Sequence, residues 1–314
     1  MKNLLIILSV LFLTLLIVKP VDAAAPTKQQ MKGSIAKAEK YYEGLYQSVG
    51  DGKAVINEYY SNLKHTYTIR HGIMGGIYFY QYIGDSKKEN ALKNFIAQYN
   101  LNSSNDLHSY IWKETDKGQE NLYSEQPYYD CGLTLPIIGD EFPYHSKVCK
   151  LGTAGEDFYI TATKEDTLVP TIVQIQALEA GTAVDMSIVT DLQNKYNNLG
   201  FGMPICYMSM CANVASTIRT AEFGDLELRL GNMNYADKVA SQLIKAQNDQ
   251  GAVYFSYDRD GHLKDNKPFV YDLIDAALND QPVYSGYIPT NAETMNDVLA
   301  FLLRYDCAKY NVCK

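Results

Sequence analysis

Residues 230–265, LGNMNYADKVASQLIKAQNDQGAVYFSYDRDGHLKD, constrain the fold more than any other stretch of the chain. After a Gly231-Asn232 break, Ala236, Val239, Ala240, Leu243 and Ile244 recur at the i, i+3, i+4, i+7, i+8 spacing that lines one face of a helix. Asn248 to Gly251 supplies the residues that end a helix or turn a chain. An alternating run, Val253 to Tyr257, follows, and Asp260-Gly261 adds hairpin chemistry. A one-sided helix followed by a β-hairpin cannot bury its own apolar face. The chain must therefore supply partners, and a second copy of the unit is the economical source.

A weak echo exists. Ile83-Gly84-Asp85, a helix, then Gln98-Tyr99-Asn100 parallels Leu230-Gly231-Asn232, a helix, then Gln247-Asn248. In front of each break lies a helix of a second kind, apolar around most of its surface. Residues 66–83 carry Ile69, Ile73, Ile77 and Tyr80 with Gly72, Gly75 and Gly76 between them. Each glycine costs about 1 kcal/mol in a helix, which is best tolerated where neighbouring backbones press close. Residues 203–223 (Ile205, Met208, Ala212, Ala215, Ile218) read the same way, with Pro204 at the start, where proline fits, and an end at Gly224-Asp225. One-sided helices are expected over 29–49, 86–99, with Ser86 and Glu89 as a capping box, and 232–247. Others are expected near 55–63, 167–180, 185–196 and 269–278. A further, final helix follows a Thr290 to Glu293 capping box and carries Met295, Val298, Leu299 and Leu302.

The N-terminal residues read as a secretory signal: Lys2 as a short positive region, an apolar run over 4–18, and small-residue cleavage sites at Val21-Asp22-Ala23 or Ala23-Ala24-Ala25. An uncleaved anchor is the competing reading, although the run is short of the ~20 residues that span a bilayer. With residues 1–25 removed, residues 26–314 form one domain, interrupted by a loop-rich insertion at about 101–166. In an exported chain six cysteines point to disulfides. Fifteen connectivities are open, and local pairs are favoured: Cys131 with Cys149 across the insertion, Cys307 with Cys313 after the last helix, and Cys206 with Cys211. The last pair points in different directions on a regular helix, so its bridge requires a local break.

A formal charge of −8 argues against nucleic acid and against anionic membrane surfaces. The chain carries 26 tyrosines and one tryptophan, Trp112. Tyrosine rings suit sugar faces, and they serve equally well as helical core with hydroxyls reaching water. No G-x-S-x-G, H-E-x-x-H, phosphate-binding loop or dinucleotide fingerprint occurs, so no cofactor is called for. The Asp258 to Asp265 run departs from calcium-loop spacing.

The order of buried helix, Gly-Asp or Gly-Asn break, one-sided helix and β-like loop resembles the (α/α) toroids. This group includes polysaccharide hydrolases, lyases and epimerases, and squalene-cyclase-type repeats. The resemblance rests on Ile83-Gly84-Asp85, Leu230-Gly231-Asn232 and the helix end Leu243 to Gly251. It implies an all-α, (α/α) toroid-like helical barrel, complete or incomplete, with β-hairpin loops and one long disulfide-bearing insertion. Two departures set limits. The Trp of a Q-x-x-x-G-x-W repeat is replaced near Val253-Tyr254, and the cyclase acid motif and prenyltransferase metal ligands are missing, so the terpene branch is disfavoured.

In toroids the cleft lies at the N-terminal ends of the inner helices. That placement implies Asp258, Glu293 and His71 as catalytic residues, with Arg70, Tyr287, Asn291 and Trp112 positioning a polysaccharide or oligosaccharide. A glycosidase needs two carboxylates flanking the scissile bond; a uronate lyase or epimerase needs a base and a neutralising cation such as Arg70. Each candidate has a plainer role open to it. Glu293 serves a capping box, Asp258 and Asp260 serve a turn, and His71 serves as a hydrogen-bonded core residue. The expectation is an exported carbohydrate-active protein, with no membrane contact after signal cleavage. A non-catalytic extracellular binding protein on the same scaffold is the alternative. The sugar, the bond and the oligomeric state are not readable from the sequence.

Overall fold

The structure, a computed structural model, describes residues 24–57, 67–98, 110–115, 118–120, 167–207, 210–254, 256–261 and 292–313. The signal segment, the Cys131–Cys149 pair, the expected helix at 269–278, Tyr287 and Asn291 lie outside these residues. Among them the chain is mostly helical, with small antiparallel sheets.

The elements run α1 (Lys28–Glu43), β1 (Tyr46–Gly50), β2 (Lys53–Ile56), β3 (Tyr67–Ile69), α2 (Arg70–Ile83) and α3 (Ser86–Gln98). Then come β4 (Tyr110–Thr115), β5 (Gly118–Glu120), α4 (Leu168–Glu179), α5 (Met186–Leu199), β6 (Pro204–Tyr207) and β7 (Met210–Ser216). The series closes with α6 (Thr217–Arg229), α7 (Met233–Ala246), β8 (Ser256–Tyr257) and α8 (Ala292–Tyr310).

Three helices end on the same device. Gly84, Gly181 and Gly231 have φ of +78°, +64° and +76°, a conformation that costs glycine nothing. Behind each, the chain donates back in the paired pattern of a Schellman cap: Asp85 to Tyr80 O at 2.9 Å, Thr182 to Ala177 O at 2.8 Å and Asn232 to Glu227 O at 2.8 Å. Each cap satisfies orphan carbonyls and reverses the chain into the next helix.

The sequence echo is a structural repeat. β3, α2, the Gly84 cap and α3 match β7, α6, the Gly231 cap and α7 with equal spacing between their helix starts and their glycines. In both copies the strand entering the first helix pairs antiparallel with one that follows the second. Ile69 faces Tyr110 in one, and Ala215 faces Tyr257 in the other. Leu92 and Val239 occupy equivalent places in the outer helices, as do Ile96 and Leu243, and all four are buried.

The first helices of these pairs run parallel. Along α2 and α8, Gly75 lies against Asn296 and the Tyr82 hydroxyl donates to Leu303 O at 3.3 Å. Along α6 and α8, Gly224 lies against Phe301, and Arg304 donates to Asp225. A Glu179–Arg229 ion pair at 3.1 Å joins the C-terminal ends of α4 and α6. The inner helices thus follow the order α2, α8, α6, α4. α3 and α7 pack antiparallel to α2 and α6, their hairpin partners. α1 is the partner of α8, its first turn tied to the other helix's end by the Tyr310 hydroxyl donating to Pro26 O. A Cβ on Gly75 would lie 2.0 Å from Asn296 Cγ, and one on Gly224 2.7 Å from Phe301 Cε2. These glycines set how closely the inner helices approach.

Several expectations are corrected. Residues 203–223 are not one helix: Pro204–Tyr207 and Met210–Ser216 form a hairpin, and α6 begins only at Thr217. Cys206 and Cys211 face each other across that hairpin and are bridged, which supplies the break their pairing required. Gly224-Asp225 ends nothing and lies within α6. The helix expected at 29–49 stops at Glu43, because Tyr46–Gly50 pairs with Lys53–Ile56 about the Gly50–Gly52 turn. Part of the expected 55–63 helix is therefore strand. At α3 the cap is Asp85, whose Oδ1 accepts the Lys88 N–H at 3.1 Å, in place of the expected Ser86–Glu89 box. The described residues are nonetheless mostly helical, with small antiparallel sheets, as a helical fold with β-hairpin loops requires. Cys307–Cys313 is bridged as expected.

Gln247 clasps α1 to the turn after α7. Its Nε2 donates to Ser34 O and Gly251 O, and its Oε1 accepts from Ser34 Oγ. Gly251 has φ +96°, and a Cβ there would lie 2.1 Å from Lys37 O. Gly251→Ala is expected to cost roughly 3 kcal/mol or more, from backbone strain plus backbone collision, read as a lowered urea midpoint.

Candidate functional site

Parallel inner helices bring their N-terminal ends to one side of the molecule. Arg70 and His71 are the first two residues of α2, and Glu293 is the second residue of α8. Trp112 lies on β4 opposite Thr68, the second residue of the strand that runs straight into α2. Asp258 directly follows β8, where Tyr257 is paired with Ala215 at the entry to α6. These five positions therefore share an end of the fold by backbone placement.

Asp258 also has a local task. Its Oδ1 accepts the Asp260 N–H at 2.9 Å, and Gly261 donates to its carbonyl at 3.0 Å, which is the turn role open to it from the sequence. The turn leans on the outer helix α7. Lys245 Nζ donates to Arg259 O at 2.9 Å and lies 3.7 Å from Asp260. Arg259 also sits over the Phe201 ring. Asp258 is half-buried, and Asp260 is exposed.

A second set of ionisable groups lies deeper, between α4, α6 and α8. Asp225 Oδ2 accepts from Arg229 Nε at 2.7 Å and from Arg304 Nη1 at 2.6 Å. Arg229 reaches on to Glu179, and Arg304 lies over the Tyr78 ring. Burial alone works against the Arg304 charge, but Asp225 outweighs it and holds the guanidinium pKa above its ordinary value. One turn before Asp225, Glu222 is 1 % exposed, and neither of its carboxylate oxygens has a hydrogen-bond partner. Burial, with the Asp225 charge adding to it, pushes Glu222 up to about 8 against the pull of Arg304 and Arg229. Glu179 is raised too, first by burial, while Arg229 and Arg304 oppose the shift. Glu227 is raised by burial although Gln193 donates to its Oε1 at 2.9 Å.

Chemically, α6 carries a charged carboxylate and a carboxyl favoured in its neutral form, one turn apart. Both are shut off from solvent, so as they stand neither meets a substrate. Sequence reading passed them over because Gly224-Asp225 looked like a helix end. Had the helix been continued to Arg229, Glu222, Asp225 and Arg229 would have fallen at i, i+3 and i+7, on one face of the helix. Among the described residues, no group of three or more His, Cys, Asp or Glu could hold a metal ion. The crevice lined by Gly75, Tyr78, Phe79, Asn296 and Leu303 has room for little more than one water.

No family model matches the chain, and neither a curated protein nor a solved structure is significantly similar to it.

Asp225→Ala is expected to cost about 3–5 kcal/mol, since it takes the carboxylate partner from the partly buried Arg304 and leaves Arg229 with Glu179 alone. Breaking the Lys245–Asp260 pair, whose side chains are 51 % and 73 % exposed, is expected to leave stability within error. Denaturant titration of both variants separates the two cases.

Proposed function

We propose that this is an exported carbohydrate-active protein built on an (α/α) toroid, acting on a polysaccharide or oligosaccharide at the N-terminal end of its inner helices. The observation that supports the toroid is the arrangement of helix hairpins in chain order. α4 with α5, α6 with α7, and α8 with α1 follow one another, and α2 with α3 stands next to α8, inner helix beside inner helix. Gly-capped reversals at three hairpins give each unit the same turn. Export is supported by the signal-like residues 1–25 and by the Cys206–Cys211 and Cys307–Cys313 bridges, which persist in oxidising compartments. No described helix is long and apolar enough to cross a membrane.

In the catalytic reading, Glu293 and Asp258 supply acid and base, and His71 shares the proton transfers. Arg70, Trp112, Tyr287 and Asn291 hold the sugar. Parallel helix N-termini add positive potential at that end, which together with Arg70 favours a sugar bearing carboxylates. A second reading, a non-catalytic binding protein, draws on the Asp258 turn, because a carboxylate that orders its own loop is less free to act on a substrate.

A glycan-binding and turnover screen separates them. With Asp258→Asn and Glu293→Gln, the catalytic reading expects turnover to fall at least about 100-fold while binding persists. Binding by the wild type with turnover of no glycan favours the second reading. Absence of both sinks the carbohydrate assignment.

A further inference from the structure

Glu222 takes no part in the rim chemistry proposed above, yet its surroundings are the least ordinary in the described structure. α6 is packed by α4, α7 and α8, and towards its N-terminal end by β6 and β7. From α7 the neighbouring face is apolar, made of Ala236, Val239, Ala240 and Leu243. From α4 comes Glu179; from α8 comes Arg304; from α6 itself come Asp225 and Arg229. The two arginines are already committed, Arg304 to Asp225 and Arg229 to Asp225 and Glu179. Neither is hydrogen-bonded to Glu222, whose oxygens have no donor at all. An ionised carboxylate in that place would be a buried charge without hydrogen bonds beside a second negative charge, the most costly arrangement a core can hold.

We infer that Glu222 is a proton-holding residue, neutral in the folded protein, and that its ionisation loosens the α4–α6–α8 packing, so that the fold is a structure favoured by proton uptake. The ligand of this site is a single proton, and the device responds to alkaline surroundings. Its sign follows from the folded and unfolded states. Unfolded, the carboxyl releases its proton above its ordinary value of 4.5; folded, it keeps the proton up to about 8. Between those values the unfolded state binds fewer protons, so stability falls as pH rises. The contribution is largest below the lower value and is exhausted above the upper one. This inference does not depend on the carbohydrate assignment.

The test uses the mature chain with its disulfides intact. Thermal unfolding of the wild type between pH 5 and pH 9 is expected to show Tm falling by about 5 °C from this residue. Glu222→Gln, a neutral group of the same shape, is expected to flatten that fall and to match or exceed the wild-type Tm at pH 9. Equal slopes for wild type and variant overturn the inference. Should Glu222→Gln fail to fold, Glu222→Met, neutral and of similar volume, takes its place. Calorimetry at pH 7 in buffers of different ionisation enthalpy is expected to record about one proton fewer released on unfolding of the variant than of the wild type, a difference that excludes the raised Glu179 and Glu227, and equal release overturns the inference.

Discussion

Arg304 lies on α8 where that helix passes between α2 and α6, donating to Asp225 on one side and resting over the Tyr78 ring on the other. Tyr78 and Asp225 occupy equivalent positions in the two copies of the repeat, so one guanidinium spans both copies. Two neighbouring groups bring them close enough: Gly75 admits Asn296, and Gly224 admits Phe301. Around this axis α8 is buried along most of its length, from Met295 to Tyr305. The outer helices, by contrast, bury one stripe each. Remove the close approach of α2, α8 and α6, and the stripes of α1, α3 and α7 lose the surface against which they are buried.

The strands have a positional task. β3 and β7 run directly into α2 and α6, and each is held by a strand arriving after the outer helix. They therefore fasten the N-terminal ends of the inner helices, the end that also carries Arg70, His71, Trp112, Asp258 and Glu293. The Cys206–Cys211 bridge pins the hairpin that feeds α6. Rim and core are thereby coupled through one helix: α6 starts at the strand-bearing end and carries Glu222 and Asp225 down into the buried network.

Much of the helical frame was legible. Of the expected stripe, Ala236, Val239, Ala240 and Leu243 are buried and Ile244 is half-buried, and Asp185 caps α5 as a residue of its type should. Met295, Val298, Leu299 and Leu302 are all buried. The misreadings share a cause. Residues 203–216 are small and apolar, and periodicity alone does not separate a short buried strand from a buried helix. Gly224 looked like punctuation because glycine often is. Its actual role is to make room for Phe301, a contact with a residue far along the chain. Likewise Glu222 and Arg304 carry no local signal that they share one buried site.

Sequence alone determined the reversals at Gly84 and Gly231 and which helix faces are apolar, because glycine's access to positive φ and the 3.6-residue period act within a few neighbouring residues. It favoured the Cys307–Cys313 closure, a local pair that the structure bridges. Tertiary structure decided the rest: that the inner helices run parallel, that the 204–216 segment is a bridged hairpin, and that an unpaired carboxyl lies beside a salt-bridged one. Those outcomes depend on contacts between residues distant in sequence. The energy of a buried charge is set by whatever surrounds it, and for Glu222 those surroundings come from three helices.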